Sequence, residues 1–192
     1  MNSYELLTGV GTLYVASLGE TFPLVDAVPS VNWINLGNTI DGVTINVEQE
    51  NEEIFVDQET GPVKAVRTTE GITISTNLAV STLENLAQVL SQTITTVNPG
   101  VGVIGTKSIG LYRGVSVTEK AFLFRGSSPY GASFPAQYQL TRGYFAGETE
   151  SEFVKDGVAQ IPVEFRVLVD LTQGTEALKF GKLIVKSAAA LP

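Results

Sequence analysis

Alternation with a period of two constrains this chain more than any other feature of its sequence. In Val43-Thr44-Ile45-Asn46-Val47-Glu48, apolar residues take every odd position and polar residues every even one. Across Gln160–Asp170, Ile161, Val163, Phe165, Val167 and Val169 share one face, while Gln160, Pro162, Glu164, Arg166 and Leu168 share the other. Successive side chains of a strand point to opposite faces of the sheet. One apolar face and one polar face therefore describe an antiparallel sheet wetted on one side. Similar runs, rich in Val, Ile, Thr, Tyr and Phe, lie at Gly11–Ala16, Gly71–Leu78, Glu119–Phe124, Ala136–Tyr144 and Lys179–Lys186. The 19 Gly and 8 Pro are spread between runs as turn punctuation.

One stretch breaks this period. Ser81 opens a Ser-x-x-Glu box with Glu84, and Leu83, Leu86, Ala87 and Leu90 follow at helical spacing. A helix of about three turns is expected here, stopped by Asn98-Pro99-Gly100. The expected fold is mainly β: an antiparallel β-sandwich with one flanking α-helix and projecting loop and arm segments. A chain of 192 residues suits a single domain, 1–192, that needs no disulfide to hold its core.

Two segments stand apart from that body. Residues 18–32, with Pro23 and Pro29, read as an irregular connector or arm. Residues 48–69 carry Glu48, Glu50, Glu52, Glu53, Asp57 and Glu59, then Lys64 and Arg67, around the apolar trio Ile54-Phe55-Val56. One reading is a solvated hairpin. The other is an assembly loop, because an apolar trio in a charged loop is costly unless a partner covers it. Glu52, Glu53, Ile54, Phe55, Val56, Asp57, Lys64 and Arg67 are its candidate contact residues.

The inventory for chemistry is thin. The chain has no cysteine and no histidine, which removes thiolate chemistry, the usual general base and the commonest metal ligand. Twelve Lys and Arg against 20 Asp and Glu give a net charge of −8, the wrong sign for gripping phosphates. Gly100-Val101-Gly102-Val103-Ile104-Gly105 spells a dinucleotide fingerprint, but a proline precedes it and β-type residues follow, so a turn is expected. The acidic run at 48–59 lacks the loop pattern of a calcium site. Glu164 and Asp170 share a strand face, yet no pocket is apparent that would shift their pKa values. No catalytic residue, metal site or cofactor is expected, and the chain does not read as an enzyme. The lone Trp33 reads as an anchor in a core or an interface. Phe122, Phe124, Phe134, Tyr138, Tyr144 and Phe145 read as core and sheet packing. The first residues lack a basic and apolar leader, and no apolar run approaches the ~20 residues that span a bilayer, so a soluble, unprocessed chain without membrane insertion is expected.

Several segments, taken in order, resemble the tail tube (major tail) proteins of long-tailed bacteriophages. Gly9-Val10-Gly11-Thr12-Leu13-Tyr14-Val15-Ala16 resembles the family's opening strand, followed by Gly19 and Phe22-Pro23. Trp33-Ile34-Asn35-Leu36-Gly37, running on to Gly42-Val43, is similar to its Trp-x-x-Leu-Gly…Gly-Val segment. An acidic loop with Val56-Asp57-Gln58 and Gly61-Pro62-Val63 comes next, then the helix start Thr82-Leu83-Glu84-Asn85-Leu86-Ala87. The likeness covers the first half by motif and the second half by strand pattern. It implies a β-sandwich with a flanking helix, subunits in a ring expected to be hexameric, and rings stacked into a hollow tube that DNA traverses without specific contacts. It also implies other tail proteins (tape measure, terminator, baseplate or tip) as partners, assembly in the bacterial host cytoplasm and residence in the virion tail. An acidic lumen would let phosphates slide past, and the polar strand faces bearing Thr44, Asn46, Glu48 and Glu164 are the candidate lumen lining. The alternative is a β-sandwich binding or adhesion module, such as a carbohydrate-binding domain or a pilus-like subunit; a hydrolase comes a distant third.

Overall fold

A computed structural model describes residues 11–79, 82–128, 131–147 and 160–186. Among these residues ten strands and one α-helix follow in chain order: β1 Thr12–Ser17, β2 Ile34–Asn35, β3 Thr39–Ile54, β4 Lys64–Leu78, α1 Leu83–Leu90, β5 Thr95–Val97, β6 Thr106–Ser108, β7 Lys120–Ser128, β8 Gly131–Phe145, β9 Ile161–Val167 and β10 Lys182–Val185. The fold is mainly β, with every strand pair antiparallel, as the alternation predicts.

Eight strands form one curled sheet in the order β2-β1-β7-β8-β9-β4-β3, with β10 also on β8; β5 and β6 make a separate hairpin. The long strand β8 serves both ends of this sheet. Its residues 136–139 pair with β10, while Gly143, Tyr144 and Phe145 pair with Val167, Arg166 and Phe165 of β9. That three-residue junction joins the β1-β7-β8 half to the β9-β4-β3 half. Curling brings the apolar faces of the halves together in a sandwich-like core of Leu13, Val15, Ile74, Leu78, Phe122, Leu140, Ile161, Val163 and Phe165. Phe165 lies at its centre, stacked on Phe122 with ring centroids 4.7 Å apart and edge-on to Phe145 at 5.4 Å. Phe124 packs against the same cluster, and Tyr138 meets Phe124 at 6.3 Å. The side chain of Phe134 lies outside the described residues.

Several boundaries differ from the periodicity. The alternating run across Gln160–Asp170 gives a strand that ends at Val167, because Leu168 N–H bonds the Arg142 carbonyl and Asp170 N–H bonds the Lys179 carbonyl across a turn. The run at 179–186 contributes only Lys182–Val185, after a 3-10 turn at Glu176–Leu178. Helix α1 has eight residues, little more than two turns. Ser91 ends it in the left-handed region, φ 55°, well before the Asn98-Pro99-Gly100 breaker. Ser81 lies outside the described residues; the cap seen is Thr82, whose hydroxyl accepts from Asn85 N–H at 3.2 Å. Asn85 in turn donates to the Leu36 carbonyl at 2.9 Å, anchoring the helix while Leu86 and Val89 pack on the core.

Residues 48–69 correct the loop reading. Most of this segment is strand: β3 and β4 stay paired from Glu48↔Gly71 to Ile54↔Lys64, leaving only 55–63 as a connection. Backbone hydrogen bonds make the ladder and do not depend on the polarity of the side chains. Charged residues wet on both faces are therefore compatible with it.

Gly143 sits where the two halves of the sheet meet. A Cβ there would lie 2.4 Å from the Phe165 ring and 2.5 Å from the Arg166 carbonyl oxygen. Gly143→Ala should therefore cost about 1–3 kcal/mol by overpacking, with a fall in the urea midpoint at pH 7. A midpoint equal to wild type would show that the junction yields without cost.

Candidate assembly surfaces

The first surface is polar. Because β3, β4 and β9 pair in register, Thr44, Ser75 and Glu164 form one cross-strand row, and Asn46, Thr73 and Arg166 the next. Glu48 follows opposite Gly71. The four residues read from alternation as one polar lining, Thr44, Asn46, Glu48 and Glu164, are thus brought onto one face. They border a groove of about 520 Å³. Glu164 and Arg166 pair at 2.7 Å, which raises the guanidinium's pKa, and Asn46 donates to Glu48 at 2.6 Å. Glu164 does not join Asp170 in a carboxylate pair, since Asp170 lies past the end of β9 in a turn.

The second surface is the far end of the β3–β4 hairpin. Pairing of β4 with β9 stops at Thr73↔Arg166, so from Val47↔Ile72 outward the hairpin is a two-stranded ribbon. It extends about 25 Å at the usual strand rise. Residues 48–70 hold seven carboxylates and two cations, five of the chain's eight net negative charges. At the tip, Ile54, Phe55 and Val56 are exposed, Phe55 by 60%. The acidic and basic stretches are zipped side by side and are not separate arms: Asn51 faces Arg67, Glu53 faces Ala65 and Ile54 faces Lys64. Arg67 bonds Glu70 of its own strand. Glu52 and Asp57 complete the set that the sequence singled out, on β3 and in the turn.

Residues 18–32 do not project. They lie along the face of the β1-β7-β8 layer opposite the main core, where Ala16, Trp33, Ala121 and Leu123 form a second cluster with Tyr14 and Phe22. Trp33 is a core anchor here: its indole N–H donates to the Thr21 carbonyl at 3.0 Å, and its ring lies 4.9 Å from Phe22. Arg125 donates to the Ala27 carbonyl at 2.6 Å and the Leu24 carbonyl at 3.0 Å. The buried amides of Gln137 and Gln139 donate to the Pro23 carbonyl at 2.9 and 3.3 Å. Burial lowers the Arg125 pKa from its usual range. The arm is thus gripped by its backbone, and Leu24, Val28 and Val31 are left facing water.

Beside the arm opens a cleft of about 890 Å³, lined by Phe22, Leu24, Gln139, Arg142, Asp170 and Ile184 among others. Several of its charges are engaged within the chain. Arg142 makes two 2.7 Å bonds to Glu119, lowering the pKa of that carboxyl. Asp170 accepts from the Thr172 hydroxyl at 2.6 Å, Gln173 at 2.8 Å and Thr172 N–H at 3.0 Å.

Sequence reading missed a further surface. Residues 95–118 form an excursion between α1 and β7, built on the β5–β6 hairpin. The fingerprint-like glycines make its turn: Gly100 and Val103 bond each other's backbones, and Gly102 has φ 70°. Beyond the three-residue β6 no strand is formed among the described residues until β7, and Ile104, Leu111, Tyr112 and Val115 stay in water. The signal was the run of apolar residues, which read as strand material because periodicity alone does not reveal a missing neighbour. Among the described residues no group of three or more Asp or Glu could hold a metal ion, and no helix is long and apolar enough to cross a membrane. No protein-family model and no curated protein matches the chain.

Asp170 generates a pH prediction. Hydrogen bonds from the Thr172 hydroxyl and then Gln173 outweigh burial and hold its pKa at about 2, against the ordinary 3.8. A folded value below the unfolded one gives stability that is present above about pH 4 and is lost as pH falls toward 2. Asp170→Asn should cost about 1–3 kcal/mol at pH 7, and its melting temperature should fall less steeply than wild type between pH 4 and 2. Parallel acid profiles would contradict this role.

Proposed function

We propose that the chain is a non-catalytic structural subunit that assembles with copies of itself into stacked rings forming a hollow tube. The role is that of the tail tube proteins that its Gly9–Ala16, Trp33–Val43 and Thr82–Ala87 segments resemble. The observation that carries this reading is the ribbon. A two-stranded hairpin is marginal alone in water, yet this one leaves Ile54, Phe55 and Val56 at its tip 44%, 60% and 40% exposed. A neighbouring subunit or ring would cover them. In this reading Glu52, Glu53, Asp57, Lys64 and Arg67 flank the contact and set its register more than its strength.

The polar face suits the second half of the role. Thr44, Asn46, Glu48 and Glu164 form a continuous surface with no exposed aromatic residue among them. Lining a lumen, its carboxylates would repel DNA phosphates and favour passage over binding. The proposed rings are hexameric and are made in the host cytoplasm. In the virion tail they meet the tape measure, terminator and baseplate or tip proteins. A binding or adhesion module draws support from the cleft beside the arm, but there Glu119 and Arg142 pair with each other and Asp170 is held by Thr172 and Gln173.

Replacing residues 50–68 with a short Gly-Ser linker tests the proposal, as does Phe55→Ser alone. Both variants should keep a cooperative melt, because β4 still pairs with β9 over Thr73–Leu78. Both should lose rings and tubes in negative-stain electron microscopy at concentrations where wild type forms them. Normal tubes from the linker variant would make the ribbon decoration. A wild-type chain that stays monomeric at every concentration and salt would end the tube reading.

A further inference from the structure

We propose that copies of this chain join head to tail, with the outward face of the 18–32 arm of one copy seated on the 95–118 excursion of the next. This rests on the reading of the chain as a self-assembling subunit and assigns the surfaces by which copies meet.

The arm is built with its apolar residues turned outward. Its inner side is held by bonds from Arg125, Gln137 and Gln139 to backbone carbonyls, which ask nothing of its side chains. On its outer side Val28 is 89% and Val31 97% exposed, with Leu24 beside them. The excursion presents a matching surface, with Ile104 80% and Val115 95% exposed, together with Leu111 and Tyr112. Several large apolar side chains left this exposed within one short segment mark a candidate contact.

Charge selects a second copy as the occupant of both surfaces. Copies that each carry −8 repel, and most of that charge sits on the ribbon. The arm's only charged residues, Glu20 and Asp26, are satisfied internally by Asn32 and Ser30 and by Lys186. The excursion's only charged residues are Lys107 and Arg113, and Lys107 pairs with Glu84 of α1 at 2.6 Å. Like-charged copies approach most cheaply through the surfaces with the least free charge.

Position makes the contact directional. The arm covers one face of the β1-β7-β8 layer, where Tyr14, Ala16, Ala121 and Leu123 point. Helix α1 packs on the opposite face, against Leu13, Val15, Phe122 and Leu140. The excursion is tied to the α1 side through Lys107–Glu84 and through Gln92, which donates to the Tyr112 carbonyl at 3.0 Å. Two different surfaces on opposite sides of one layer give a heterologous contact. Each added copy then leaves one surface of each kind free, so growth continues until a ring closes or a filament runs on.

The absence of native cysteine allows a direct test. Val28→Cys combined with Ile104→Cys, and Val28→Cys combined with Leu111→Cys, should give ladders of oligomers with a flexible bis-maleimide. Mixed single-cysteine chains, one with Val28→Cys and the other with Ile104→Cys or Leu111→Cys, should give cross-linked dimers and nothing longer. Each single variant alone should stay uncross-linked. In parallel, Val28→Lys with Val31→Lys should weaken assembly by about tenfold or more with an unchanged melting curve. Dimers from one single-cysteine variant alone would mean a self-complementary contact and would overturn the proposal. Tubes without a ladder from either pair would also overturn it, and would leave the tube reading standing. A ladder of short filaments without tubes would keep the contact and sink the tube reading.

Discussion

The three-residue junction between β8 and β9 is the constraint on which the rest of the molecule depends. Gly143, Tyr144 and Phe145 pair with Val167, Arg166 and Phe165, and one backbone bond extends the link at each end, from Ala146 N–H to the Glu164 carbonyl and from Leu168 N–H to the Arg142 carbonyl. So short a ladder would be weak alone. It holds because Phe165 projects from it into the rings of Phe122 and Phe145, and Gly143 leaves the space that Phe165 fills. Pairing sets the register, and aromatic packing supplies the burial. The curl of the sheet, the enclosed core and the placement of the β3–β4 ribbon all follow from this junction.

A different kind of interaction orders the other face. The arm lacks regular structure and its larger apolar residues face water, so burial of its side chains contributes little beyond Phe22. Arg125, Gln137 and Gln139 hold it through its carbonyls. Buried amide and guanidinium groups need acceptors, and the arm's backbone provides them. Removing the arm would orphan those donors, so the arm and the polar row beneath it each require the other.

Charge and apolarity are segregated over the surface. Carboxylates concentrate on the ribbon, whose tip is apolar, while the arm and the excursion carry apolar side chains with little free charge. In the proposed assembly this separates the roles of the surfaces. The uncharged ones bring copies together, and the acidic ribbon restricts how they line up, since wrongly aligned carboxylates repel.

The strand faces were legible in the order of residues alone. Alternation placed Thr44, Asn46 and Glu48 together and Ile161, Val163, Phe165 and Val167 together, and both sets hold because the pleat has a period of two whatever the partner strand. The order of residues also determined the helix by spacing, though not where that helix stops, since Ser91 in the left-handed region has no strong signature. Tertiary structure alone decided which strands are neighbours. Glu164 joins Thr44 only because β9 pairs with β4, and that pairing brings together residues far apart in the chain. The same reason hid the ribbon and the excursion. Whether a β-type segment gains a third strand, or remains in water like Phe55, Ile104 and Val115, depends on what packs beside it. A local pattern carries no record of an absent neighbour.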